Sequence, residues 1–218
     1  MMVGKITALR FQKRHKDRVN VYVDGQFAFG LAAILAARLQ VGQTLSDEDV
    51  ARLKAQDEAE RAYGRALNFL SYRPRSEAEV RRNLRSKGFE DSIVEAVIER
   101  LTQVGLLNDR EFAHYWVENR LQFRPKGVRA LRQELRDKGI SASIVDDVLI
   151  DVDEEAAARQ AAKAGVRRLK HLAPADFRRK LGMYLSRRGF SYAVIRPLVE
   201  EMLEESYNEA LLDIESEE

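Results

Sequence analysis

Few residues of this 218-residue chain have the types and spacing that chemistry demands. Cysteine is absent, which excludes disulfides, thiolate nucleophiles and cysteine-ligated zinc. The histidines are His15, His114 and His171, each in a different segment. His114 and Glu118 stand at helical i, i+4 spacing and could share an ion, but no third ligand accompanies them, so no metal is expected. Gly4-Lys5 lacks the preceding glycine of a phosphate-binding loop, and no Gly-x-Ser-x-Gly elbow occurs. Carboxylates are plentiful, and nothing singles out two of them for acid–base work. No catalytic residue and no cofactor are expected.

What recurs is positive charge. Arg81 and Arg85 are four apart, as are Arg132 and Arg136, so each pair shares one helix face; Lys87 and Lys138 follow at matching places. Arg73 and Arg75 flank one proline, Arg124 and Lys126 another, and Arg82 and Arg129 lie among them. For any one of these the bland reading is a solvated side chain in a surface ion pair worth ~0 to 1 kcal/mol. For the set, repeated charge of one sign costs self-repulsion unless a negative surface meets it, so the twelve are expected to form a basic binding face. The net charge of only +2 conceals segregation, because residues from Glu200 to Glu218 include many acids and no Lys or Arg. Phe112, Tyr115, Trp116 and Phe123 are spaced for core packing, with a base-stacking platform as the sharper alternative.

The elements that must position these residues are mostly helical. Ile6 to Phe11 and Val19 to Val23 read as strands, and Asp24-Gly25 suits a type I′ turn leading to Phe27-Ala28-Phe29. An antiparallel unit is therefore expected over roughly residues 5 to 30. Ser46 followed by Asp47, Glu48 and Asp49 begins a long helix toward Leu70, whole or broken on the way.

Beyond residue 60 the chain repeats. Gly88, Gly139 and Gly189 each end a Leu-x-x-[Lys/Arg]-Gly segment and lie 51 and 50 residues apart. Val80, Leu131 and Leu181 stand eight residues before them, and Ile93-Val94, Ile144-Val145 and Val194-Ile195 five and six after. Pro74, Pro125 and Pro174 precede each segment. Each unit reads as helix, proline break, helix, glycine stop, helix, with a capping box at Ser76-Glu79 and helix starts at Ser92 with Glu95 and Ser143 with Asp146. Pro197 is expected to kink or delay the last helix. The fold class expected is mainly α, three tandem three-helix repeats in an elongated curved array behind a small N-terminal antiparallel β-hairpin unit. Boundaries are expected at 1–58 for the hairpin and its helices, 59–107, 108–153 and 154–205 for the repeats, and 206–218 for an acidic tail.

The run Ala62-Tyr63-Gly64-Arg65-Ala66-Leu67, continuing through Tyr72-Arg73-Pro74-Arg75-Ser76, resembles the RecX family of bacterial regulatory proteins. So do Gly105-Leu106-Leu107-Asn108-Asp109, Trp116-Val117-Glu118-Asn119-Arg120 and the N-terminal Val21-Tyr22-Val23-Asp24-Gly25. The resemblance implies a non-enzymatic modulator that binds the RecA filament and inhibits its growth, ATPase and strand exchange, acting in recombination, DNA repair and the SOS response. It also implies weak, non-specific binding to single- or double-stranded DNA. A monomer is expected, located in the cytoplasm and not in a membrane, since no stretch reaches the ~20 apolar residues of a span. The alternative is a tandem helix-turn-helix-like DNA-binding protein acting without RecA. The acids of the helices after the glycine turns speak against that.

Overall fold

A computed structural model describes the backbone of residues 3–14 and 16–215 and the side chains of residues 4–14 and 16–206. The chain divides into two compact units, Met1–Leu107 and Asn108–Glu218.

In the first unit, β1 (Val3–Phe11), β2 (Arg18–Val23), β3 (Gln26–Ala32) and β4 (Thr44–Ser46) form an antiparallel sheet in the order β3-β2-β1-β4. Asp24 (φ 50°) and Gly25 (φ 80°) are both left-handed, as the tight turn from Val23 to Gln26 requires. Strand β4, three residues pairing with Val3 to Lys5, has no counterpart in the expected hairpin unit. Alternation puts Ile6, Val19, Val21, Phe29, Leu31 and Leu45 on one buried face, closed by α1 (Ala33–Ala36). Helix α2 (Asp47–Leu70) runs unbroken, and Ser46 and Asp49 form its capping box.

The second half of α2 opens the first repeat with α3 (Glu77–Arg85) and α4 (Asp91–Gln103). In the second unit, α5 (Asp109–Phe123), α6 (Val128–Asp137) and α7 (Ala142–Leu149) make the second repeat. Helices α8 (Glu154–Leu169), α9 (Pro174–Arg187) and α10 (Tyr192–Glu215) make the third. Each has a core of its own built from equivalent positions. Val80, Leu131 and Leu181 are fully buried, as are Leu84, Leu135 and Leu185, and Val94, Val145 and Ile195 cover them from the next helix.

Gly88, Gly139 and Gly189 all turn left-handed, at φ 84°, 83° and 85°, and the amide of the residue following each glycine bonds back to the carbonyl of Leu84, Leu135 or Leu185. The third helix starts three residues after the glycine in every repeat. Its N-caps are therefore Glu90 and Ser141 in the first two repeats, not the expected Ser92 and Ser143. Helix α10 likewise is not delayed by Pro197, the sixth residue of that helix, where the missing N–H removes a single helical bond. The side chains of residues 207–218, most of the expected acidic tail, lie outside the described residues, as does His15.

Candidate functional site

The middle helix of each repeat presents its cations to the helix that follows. Arg81 bonds Glu95 at 3.0 Å and Glu77 at 3.0 Å, and Arg85 bonds Asp91 at 2.7 Å. Burial opposes the charge on Arg81, but hydrogen bonds to Glu95 outweigh it and raise its affinity for the proton. One period later Arg132 pairs with Asp146 across the same 14-residue interval. Arg136, the counterpart of Arg85, has Ala142 where Arg85 has Asp91, and makes no ion pair among the described residues; Arg178 of the third repeat bonds Glu200 at 2.8 Å. These pairs neutralise Asp91 and Glu95 of α4 and Asp146 of α7, and Arg110 bonds Asp147 at 2.8 Å.

The proline-flanking residues diverge. Arg73 forks onto Glu79, at 2.8 and 3.1 Å, and Arg75 lies 3.9 Å from the centre of the Phe69 ring. Lys126 is drawn to Glu134, and Lys138 lies over the Trp116 ring. That leaves Arg82, Lys87, Arg124, Arg129 and Arg136, all exposed and without an ion-pair partner among the described residues. Arg129, Arg132 and Arg136 fall at i, i+3 and i+7 along α6 and so share one side of it.

Glu134 was not anticipated. It accepts hydrogen bonds from Trp116 Nε1 and Arg120 Nε, both at 2.8 Å, and from Lys126. Burial opposes its ionisation, yet those three donors outweigh burial and hold its carboxyl below the ordinary value of 4.5. Trp116 stacks on buried Phe112 and has Arg120 and Lys138 over its ring, so it packs as core and not as a base platform. A carboxylate with a depressed folded value contributes stability at neutral pH that disappears as pH falls through that value. Glu134→Gln is accordingly expected to cost roughly 1 to 2 kcal/mol at pH 7, at the low end of charged hydrogen bonds because solvent screens the site. The deficit shrinks below pH 4.5, where the parent's Glu134 also takes up a proton. Urea unfolding followed by the fluorescence of Trp116, the sole tryptophan, checks this; a deficit independent of pH contradicts it.

Among the described residues no group of three or more His, Asp or Glu could hold a metal ion. No helix there is long and apolar enough to cross a membrane.

Residues 4–46 match the Regulatory protein RecX N-terminal domain, and residues 62–101, 108–149 and 152–199 match the first, second and third three-helix domains of RecX. The chain belongs to the RecX family. It is 32% identical over 214 residues to the regulatory protein RecX of Bacillus velezensis, covering 95% of this chain and 81% of that one. Against the RecX of Bacillus subtilis the identity is 33% over 202 residues, 90% of this chain and 76% of the other. A crystal structure of a regulatory protein RecX superposes with a TM-score of 0.72 at 30% identity, covering 93% of this chain and 99% of that one. RecX from Lactobacillus salivarius gives 0.61 at 28% identity, over 67% of this chain and 97% of its own. The mainly helical architecture, with an antiparallel sheet ahead of three helical repeats, is thus that of a family of regulatory proteins.

Proposed function

We propose that this chain is a non-enzymatic regulator that binds the RecA nucleoprotein filament and restrains its growth, ATP hydrolysis and strand exchange, so modulating recombination and DNA repair. It acts as a monomer in the cytoplasm. The observation that carries the reading is the cationic side of α6, where Arg129 and Arg136 flank Arg132 with no acid of their own among the described residues. Arg82 and Arg124 add exposed charge of the same sign. Unneutralised guanidinium groups suit acidic protein surface or DNA phosphate, and blocking subunit addition needs no catalytic group.

The twelve basic residues divide by role in this proposal. Arg81, Arg85 and Arg132 hold the second helix of a repeat to the third, whereas Arg82, Arg124, Arg129 and Arg136 meet the filament. Charge reversal at those four, R82E/R124E/R129E/R136E, should raise the concentration needed for half-inhibition of DNA-dependent RecA ATPase at least about tenfold, a loss of ~1.4 kcal/mol or more. A variant with the parent's circular dichroism that still inhibits at the parent's concentration refutes the assignment. A DNA-binding regulator acting without RecA would instead discriminate between DNA sequences.

A further inference from the structure

One stripe of α2 does not look like a core-facing helix. Positions 61, 64, 65 and 68 follow i, i+3, i+4, i+7, the spacing that ordinarily carries apolar residues against a core. Here they are Arg61, Gly64, Arg65 and Asn68, all exposed. They line an open cleft of about 950 Å³ within the first unit, whose other walls include Lys87 and Phe89 at the glycine turn and Asp17, Arg18 and Ala32 from the sheet.

Two independent features of this cleft point to a ligand. The first is charge. Arg61, Arg65 and Lys87 have no ion-pair partner among the described residues, while Glu60, an acid of the same lining, is bonded to Arg100 at 2.7 Å. Asp17 is the remaining acid, and it directly follows the cations Lys13, Arg14 and Lys16 in the sequence before β2. The second is Gly64. Glycine inside a helix costs about 1 kcal/mol against alanine, and crowding does not require it, because a Cβ at Gly64 would meet nothing within 4 Å. Its effect is to leave the backbone bare at the floor of the cleft, which is where glycine serves when a ligand must come close.

We infer that this cleft holds the phosphodiester backbone of a nucleic acid strand, with Arg61, Arg65 and Lys87 on phosphates and the strand passing over Gly64. The inference deepens the regulatory reading by naming where a polynucleotide lies, and rests on it only in taking a polynucleotide as the partner. Phosphate fits better than a protein carboxylate because the lining residues are mostly polar or charged, with Phe89 the one large apolar side chain among them, whereas a strand supplies charge at every step.

Full-length protein, without RecA, is titrated onto a fluorescent thirty-residue oligothymidylate at several salt concentrations. R61A/R65A/K87A should weaken binding ~10- to 100-fold at low salt and reduce the slope of log affinity against log salt by about 2, near 0.7 for each phosphate no longer neutralised. K163A/R167A/R168A removes the same net charge from exposed positions of α8 and should leave the slope near the parent's. Gly64→Leu changes no charge, suits a helix and fills the floor; it should raise thermal stability yet weaken binding at least about tenfold. Equal loss in the α8 variant, an unchanged slope in the cleft variant, or parental binding by G64L overturns the site. Displacement of the strand by polyglutamate at equal charge would overturn it too, making the cleft a site for acidic protein. Because RecA is absent, each of these results is separable from failure of the filament reading, which the ATPase variants test on their own.

Discussion

Gly189→Ala is expected to destabilise the unit of residues 108–218 by about 3 kcal/mol, whereas Gly88→Ala, at the equivalent turn, costs only about 1 kcal/mol. Both glycines are left-handed, at φ 85° and 84°, so a Cβ carries the same conformational cost of ~1 kcal/mol at each. Their surroundings differ. A Cβ at Gly88 meets nothing within 4 Å, but at Gly189 it would lie 2.4 Å from Ala130 Cβ and 2.5 Å from the Ala130 backbone nitrogen. Backbone must then shift, and overpacking of that kind adds ~1 to 3 kcal/mol. The turn after α9 sits on the start of α6 so closely that Gly127, seen from the other side, has the Gly189 carbonyl oxygen 2.3 Å from its own would-be Cβ. Gly127 N–H donates to the Arg188 carbonyl at 3.0 Å, and Arg188 Nη1 donates to the Pro125 carbonyl at 3.0 Å. Denaturant unfolding followed by Trp116 fluorescence for the Gly189 variant, and by circular dichroism for the Gly88 variant, reads the two losses. Similar costs for the two substitutions would mean that the crowding against Ala130 relaxes without strain. The same close approach also fixes where α6 begins, and with it Arg129.

Asp57→Ala should cost about 3 kcal/mol in the other unit. Asp57 is buried on α2, where its carboxylate accepts from Arg18 at 2.9 and 3.2 Å and from the Ala32 amide at 2.7 Å. Arg18 also donates to the Gly30 carbonyl at 3.1 Å. One carboxylate thus ties the start of β2 and the end of β3 to the long helix. Removing it strands a half-buried guanidinium and an unbonded amide, and breaking a buried pair costs ~3 to 5 kcal/mol; partial exposure of Arg18 keeps the value at the lower end. Amide hydrogen exchange in β2 and β3 should quicken about a hundredfold, since each 1.4 kcal/mol is a factor of ten, while α6 and α9 keep the parent's protection. Unaltered exchange in the strands would show that apolar packing alone holds the sheet on α2. The pair also holds the wall opposite Arg61 and Arg65, so the variant should weaken the strand binding inferred for the cleft.

The repeats were legible because each depends on interactions a few residues long. A leucine four residues before a left-handed glycine, an acid three residues after a capping serine and Asp-Gly between alternating strands are local devices whose geometry follows from covalent structure. The fourth strand escaped notice because three residues, Thr44 to Ser46, are too short for any periodic signal. The helix starts at Ser92 and Ser143 were misplaced because Glu95 and Asp146, read as capping partners, are claimed instead by Arg81 and Arg132.

The basic face was legible as a set of residues but not as a surface. Arg81 and Arg129 have the same charge and both lie on the middle helix of a repeat; one is held between two carboxylates, and the other makes no ion pair among the described residues. Arg61 and Arg65 were not among the residues expected to bind, for they stand on a helix whose neighbours there are brought in from Asp17 and Lys87.

The order of residues alone determined three helical repeats of about fifty residues, their cores and their stops, since hydrophobic period and backbone preference act over one or two turns. Packing decided which cations are neutralised, which glycine is irreplaceable and where a cleft opens. Charge and steric exclusion act across whatever distance folding closes, 39 residues from Arg18 to Asp57, and no short-range pattern records that distance.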